Sequence, residues 1–306
     1  MREVRIPSFA KINLRLDILG KRADDYHELR TIFQTVSLRD ELRLRPAKGS
    51  EISLTIHGNE ELAAEPPEKN LVYRAVEAVR RELNLRAGVE IELFKNIPAG
   101  GGLGGGSSNG AAALMGYLRL VKRKLPMPVL LQLAASLGAD VPIFLFGGRA
   151  LGVGRGDEIY PLPDMRTLPI LIVAPSNIRV PTKDAFRWLH EPARKAVTLT
   201  KLAAHHKLYE FCALSWSARG SGLSNDFEKA VFRRYNRLDK IKRVLLQSGA
   251  AEASLAGSGS AVFGVFPSPA MARRAAVGFP YDQTFVCETV SRDRYLRAVG
   301  RARVVR

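Results

Sequence analysis

Residues 98–109 read PAGGGLGGGSSN, six glycines in twelve positions. Glycine loses the most backbone freedom on folding, so a dense run is costly unless the chain needs an unusual backbone path there. The flanks narrow what that path is for. GVEIELFKNIP alternates as a strand and stops at Pro98, and SSNGAAALMGYLRLVKRKL reads as a helix with cap-favouring Ser and Asn at its head. A helix start presents unpaired N–H groups and a partial positive charge, and glycine lets an anion approach without a Cβ in the way. The run therefore predicts a phosphate cradle, with Ser107, Ser108 and Asn109 at its lip.

Several phosphate-binding patterns fail on their surroundings. Gly100, Gly102 and Gly105 satisfy the dinucleotide spacing GxGxxG, but the acidic residue expected about 20 positions on is absent, the sequence there being Lys124, Leu125 and Pro126. The P-loop needs Gly-Lys-Ser/Thr at its end, whereas this run ends in Ser-Ser-Asn. Neither HRD nor DFG occurs, which excludes the protein-kinase set. A flexible linker is disfavoured by the patterned strand and helix on either side.

Composition bounds the rest. The chain has 306 residues, 46% of them hydrophobic, enough for one large or two ordinary domains with a buried core. Its formal net charge of +17 favours anionic partners without choosing among them. Cys212 and Cys287 stand far apart and His205 and His206 show no ligand spacing, so neither a disulfide framework nor a zinc site is expected. The N-terminal stretch lacks an apolar signal core and no apolar run approaches a membrane span. A soluble, cytoplasmic protein without a membrane partner is the expectation.

Periodicity predicts strands in IPSFAKINLRLDIL, TIFQTVSL, DELRLRP and EISLTIHG, with GKRADDYHEL as a loop. Helices are expected over 68–84, after the glycine run, and in PMPVLLQLAASLG. The later half predicts a strand in LPILIVAP, a helix from PTKDAFRWL and one long helix NDFEKAVFRRYNRLDKIKRVLLQSG. It continues with a strand–glycine turn–strand in EASLAGSGSAVFGVFP, a helix in AMARRAAVGF and a last strand in TFVCETV. The chain divides near 150–165, giving expected domains of 1–160 and 161–306, and residues 190–224 are weakly patterned.

Three stretches together resemble the signature of the GHMP kinases: FAKINLRLDILGKRADDYHEL, PAGGGLGGGSSNGAAAL and LAGSGSAVFGVF. The resemblance is dense through 7–44 and 70–160 and thinner beyond, where PTKDAF, SNDFE and GSGSAVFG stand out. It implies an α+β, two-domain fold: a ribosomal-protein-S5-domain-2-like N-terminal domain and a ferredoxin-like α/β-plait C-terminal domain, with the active site in the cleft between them. It implies an ATP-dependent small-molecule kinase using Mg²⁺, with no nucleic-acid partner and either a monomeric or a homodimeric state. The ADDYHEL loop and LGADVPIFL point within the family to a cytidine diphosphate-linked polyol as the acceptor. Gly110 departs from the alanine usual there, in the expected first turn of the helix.

The resemblance also carries residue roles. Lys11 and Asp140 are implied as the catalytic pair, the carboxylate serving the acceptor hydroxyl. Read alone, Asp140 is a turn residue between a helix and a strand-like apolar stretch, and Lys11 a snorkelling strand lysine. The ATP side is implied to comprise Asn70, Lys95, Pro98, Ala99, Gly100, Gly101, Gly102, Leu103, Gly104, Gly105, Gly106, Ser107 and Ser108, with Ser107 or Ser108 as a partner for Mg²⁺. The acceptor side is implied to comprise Asn13, Tyr26 stacking on the base, His27 hydrogen-bonding it, Phe186 as the second aromatic, and Gly257, Ser258 and Gly259. Two rivals remain at this stage. One is another GHMP kinase acting on homoserine, a mevalonate or a sugar. The other is a basic nucleic-acid-binding protein suggested by the charge and the tail RDRYLRAVGRARVVR, although no RNP, KH or zinc-finger pattern occurs.

Overall fold

A computed structural model describes residues 3–189, 222–300 and 304–305; Cys212, His205 and His206 lie outside these. Strands β1 (Glu3–Lys21) and β2 (His27–Ala47) form one long antiparallel ribbon, from Val4 opposite Leu44 to Lys21 opposite His27. TIFQTVSL and DELRLRP are thus one continuous strand. His27 belongs to its first position and not to the loop, which shrinks to residues 22–26.

The ribbon bears the rest of the first sheet. Strand β3 (Ile52–His57) pairs parallel with β4 (Gly88–Phe94), which pairs antiparallel with the far part of β2. Between β3 and β4 lie α1 (Glu60–Ala64) and α2 (Leu71–Leu83). After β4 come α3 (Gly105–Leu120), α4 (Met127–Leu137) and α5 (Ile143–Phe146). The stretch after Asp140 is therefore a short helix, not a strand. Four consecutive apolar residues do not distinguish the two states, and Gly147 closes the turn. Strand β5 (Arg149–Gly154) joins the near part of β2 and β6 (Glu158–Pro161) joins β5.

The second sheet is antiparallel, ordered β11-β7-β10-β9: β7 (Pro169–Pro175), β9 (Glu252–Leu255), β10 (Val262–Val265) and β11 (Asp282–Glu288). Its helices are α6 (Thr182–Leu189), α7 (Phe227–Arg234), α8 (Asn236–Gln247) and α9 (Pro269–Ala276). The single helix expected over 225–249 is two, because Tyr235 leaves helical geometry at φ −122° and ψ 72°. The break lets Val231 on α7 and Leu238 and Ile241 on α8 reach one core. Two short strands from beyond residue 160 return to the first sheet: β8 (Ser224–Asn225) beside β1, and β12 (Val304–Val305) at its edge.

Three apolar clusters follow from this layering. One lies between the first sheet and α2–α4, one between the two sheets, and one between the second sheet and its helices. Strand β1 supplies all three. A bulge between Phe9 and Ala10 exchanges which residues face which side. Ile6 and Phe9 pack with the helices, whereas Ala10, Ile12 and Leu14 pack towards the second sheet. Gly110 falls in the second turn of α3, because the helix begins at Gly105, and it lies against Leu71 of α2. Cys287, on β11, is a free thiol that burial pushes up to about 12, so it stays protonated.

The arginine-rich tail contains an element that periodicity did not reveal, α10 (Arg292–Gly300). Its Tyr295 is 2% exposed, packs 5.3 Å from the Phe9 ring and donates its hydroxyl to the Phe144 carbonyl. The tail thus plugs the core behind α5. Tyr295→Ala is expected to lower the unfolding free energy by about 3–5 kcal/mol, the range for large buried aromatics, read as a reduced urea midpoint at unchanged slope.

Candidate active site

The glycine run leaves β4 and enters α3 through backbone that needs glycine. Gly102 has φ +75°, and a Cβ there would stand 1.9 Å from the Ala256 carbonyl oxygen. That contact exists because the second glycine turn, 256–261, lies directly on the first. Ser260 N–H donates to Gly100 O at 3.3 Å and Ala261 N–H to Gly101 O at 3.1 Å. On its other side the run is tied to β1, where Lys11 N–H donates to Leu103 O at 2.9 Å. Gly104 caps α3 with φ +69° and offers no side chain to its N-terminus, leaving that end open to an anion.

A cavity of about 590 Å³ opens over this loop and reaches from the first sheet to the second glycine turn. Every residue from Pro98 to Ser107 lines it, together with Lys11, Asn13, Asn70, Lys95, Asp140, Phe186, Gly257 and Ser258. Ser108 does not. It is 1% exposed, its hydroxyl accepts from Ser8 at 2.8 Å, and its N–H donates to Gly104 O. Of the two serines, Ser107 faces the cavity. Tyr26, His27 and Gly259 also lie outside the lining.

Beyond the register shift at Phe9 and Ala10, where β2 carries the extra residues Ser37 and Leu38, Lys11 and Asn13 line the cavity. Lys11 Nζ stands 3.0 Å from Asp140 Oδ2 and donates to Asn13 Oδ1 at 2.8 Å. Its ammonium also lies 5.4 Å over the Phe33 ring. The lysine side chain is 4% exposed and that of Asp140 37%, so the cation is held in the wall while the carboxylate meets solvent. Burying an ammonium is costly unless it is paired and hydrogen-bonded, and these three contacts supply that. Asn13 spends its amide on Thr31 Oγ1 at 2.7 Å, so its side chain fixes Lys11. Asp140 sits in the turn between α4 and α5, whose packing on α3 sets its position.

The second glycine turn closes over this pair. A Cβ on Gly257 would lie 3.4 Å from Lys11 Nζ and 3.5 Å from Asn13 Oδ1. Asn225, from SNDFE, holds the turn by donating to Leu255 O at 2.9 Å and Gly257 O at 2.8 Å, and Thr182 Oγ1 meets Ser258 Oγ at 3.0 Å.

The remaining expected residues divide. Asn70 is the N-cap of α2, accepting from Val72 N–H at 2.9 Å, and it also lines the cavity. Lys95 Nζ is paired with the fully buried Asp40 carboxylate and stands 3.2 Å from Asn109 Oδ1. His27 stacks on Phe186, with centroids 4.4 Å apart and planes at 17°, while Tyr26 is 55% exposed. The Tyr26 ring is covered instead by Arg155, whose guanidinium is 5.0 Å from its centre. The structure thus brings His27 to Phe186 and gives Tyr26 a cationic neighbour.

Sequence reading missed Asp40, Ser8, Thr31, Arg155, Thr182 and Asn225. Asn225 and Thr182 lay in stretches already singled out. Asp40, in SLRDELRL, carried no local signal, because its partners are 55–69 residues away. Among the described residues no three His, Cys, Asp or Glu side chains gather as a metal site, and no helix is long and apolar enough to cross a membrane.

Comparison with known proteins agrees with this geometry. The model described as GHMP kinases N terminal domain matches residues 70–148, and that for GHMP kinases C terminal matches 207–280. The 4-diphosphocytidyl-2-C-methyl-D-erythritol kinase of Solibacter usitatus (strain Ellin6076) is 43% identical over 98% of this chain and 92% of its own. That of Citrifermentans bemidjiense is 37% identical over 90% and 94%. A crystal structure of 4-(cytidine 5'-diphospho)-2C-methyl-D-erythritol kinase superposes with TM-score 0.77 at 31% identity, covering 93% of this chain and 98% of that one. Homoserine kinase from Cytophaga hutchinsonii shares the fold, with TM-score 0.69 at 23% identity over 94% and 95%. The chain belongs to the GHMP kinase family, and within it to the 4-diphosphocytidyl-2-C-methyl-D-erythritol kinases.

Proposed function

We propose that this protein moves the γ-phosphoryl group of ATP to the 2-hydroxyl of 4-diphosphocytidyl-2-C-methyl-D-erythritol. The products are the 2-phosphate and ADP, a step of the non-mevalonate route to isoprenoid precursors. The observation that carries the chemistry is the Lys11–Asp140 pair, 3.0 Å apart on the same cavity wall as the glycine loop. We read residues 1–160 and 161–306 as the two domains whose glycine turns enclose that cavity.

Phosphoryl transfer asks a protein for positioning and charge stabilisation more than for covalent chemistry. Backbone N–H groups of 99–107, at the start of α3, cradle the triphosphate. Asp140 takes the proton of the acceptor hydroxyl as the new P–O bond forms. Lys11 fixes that carboxylate and lies where negative charge develops. Mg²⁺ travelling with the nucleotide would neutralise its phosphates, and the Ser107 hydroxyl and Asp140 carboxylate are oxygen donors suited to it.

Tyr26, His27 and Phe186 form the cytidine side. Stacking accepts any base, so selection falls to the hydrogen-bonding groups of His27. With His27 stacked on Phe186, entry of the base requires the two rings to part. The same reading separates this activity from homoserine or mevalonate phosphorylation, where a cytidine reader has no use.

A coupled ADP-release assay tests the reading. Turnover with ATP and the cytidylyl acceptor is expected, and none with homoserine or mevalonate; equal rates on those would overturn it. Asp140→Ala is expected to lower kcat by about 10²–10⁴-fold, the usual contribution of a general base, while a titration shows ATP binding retained. His27→Ala is expected to raise KM for the cytidylyl acceptor about tenfold, equivalent to one lost hydrogen bond, with KM for ATP unchanged.

A further inference from the structure

The buried Asp40 carboxylate ties together the two ends of the glycine loop. Its side chain is 0% exposed, on the middle of β2, and both oxygens are in use. Oδ1 accepts from Asn96 N–H at 2.6 Å and Ile97 N–H at 2.8 Å, the residues that enter the loop. Oδ2 accepts from Asn109 Nδ2 at 2.8 Å, in the helix the loop feeds, and from the Lys95 ammonium. Asn109 is held again by donating to Ser8 Oγ at 2.8 Å, and Ser8 donates to Ser108. All four donors to Asp40 therefore flank residues 98–108 in sequence, two by backbone and two by side chain.

The loop itself has few other restraints. Its glycines contribute no side chains; Leu103 is its buried apolar anchor, and its backbone is tied to β1 by one N–H···O bond and to the second glycine turn by two. An anion nest works only if its N–H groups already point inwards, because reorienting them on binding takes free energy from the ligand. The distance between the two ends of the run sets that orientation.

Charge makes the same point. Lys95 was expected to serve the nucleotide directly. Its Nζ lies beneath the first turn of α3, 3.3 Å from where a Gly105 Cβ would be, and its charge is matched by Asp40. A fully buried carboxylate is stable here because each oxygen is charge-paired or hydrogen-bonded. Replacing it with an amide leaves a buried ammonium unmatched and keeps only one acceptor oxygen, so the new NH₂ must face either the two backbone N–H groups or the Lys95 ammonium and Asn109 amide.

We propose that Asp40 is a positioning residue for the nucleotide phosphates, presetting the cradle through Asn96, Ile97, Lys95 and Asn109 without touching the ligand. The inference rests on the reading of the loop as the ATP cradle, and direct nucleotide binding tests it independently of the acceptor. Fluorescent N-methylanthraniloyl-ATP is titrated into the full chain and its Asp40→Asn and Asn109→Ala variants, with melting temperatures recorded. Asp40→Asn is expected to raise the Kd about tenfold or more, as losing charge-assisted bonds implies, and Asn109→Ala to raise it less. KM for the cytidylyl acceptor should stay at the parent value in both. A lowered melting temperature with the parent's nucleotide Kd in the folded protein would reduce Asp40 to a structural role and overturn the proposal. Should Asp40→Asn not fold, Asn109→Ala decides by the same titration, and a parent-like Kd there overturns it. If the parent binds nucleotide but does not phosphorylate the acceptor, the proposed function fails and the role of Asp40 is still decided.

Discussion

From Ser8 to Leu14 strand β1 is buried on both faces, and the placement of Lys11 depends on that. A strand at the middle of three apolar clusters has no solvent side onto which a lysine can snorkel. Lys11 is therefore kept in the wall, at the cost of an ammonium that must be fully matched. Asn13, Asp140 and the face of Phe33 match it. Because Lys11 N–H also bonds the glycine run at Leu103, one residue links the phosphate cradle by its backbone and the acceptor's carboxylate by its side chain.

Two buried lysines are paired with carboxylates of different exposure. In Lys11–Asp140 the carboxylate is open to the cavity, as the proposed proton acceptor must be. In Lys95–Asp40 the carboxylate is fully buried and only the lysine borders the cavity, as the proposed bracing role requires. Exposure of the acid, rather than the identity of the pair, separates a reacting group from a scaffold. The Asp40 hub also explains why a chain so rich in glycine at one point can hold a defined shape there. The rigidity resides in the strands and helix at either end of the run.

The two glycine turns lean on each other, so neither half of the protein completes the cavity alone. The first supplies the anion nest, and the second covers Lys11 and Asn13 and is held by Asn225 and Thr182. A Cβ at Gly102 would strike the partner turn rather than the nucleotide. The density of glycine thus reflects backbone packing between halves as well as access for phosphate.

Much of this was readable beforehand. The strand–loop–helix order around 98–109, the β1 strand and the Lys11, Asp140 and second-glycine-turn pieces were visible as local patterns and as a resemblance. What local pattern did not reveal depends on contacts distant in sequence. Asp40 looked like any charged residue in an alternating strand until its donors arrived from 55–69 residues away. Lys95 looked free until Asp40 matched it, and Tyr295 looked like part of a basic tail until it filled the space behind α5. The same limit explains Ser108, whose hydroxyl is claimed by Ser8 across a hundred residues. By itself the sequence pointed to a phosphate cradle at a glycine-rich helix start and to the family the chain belongs to. Tertiary structure alone decided which charges are paired in the interior and which face the cavity, because burial and pairing are properties of the folded neighbourhood and not of the residue.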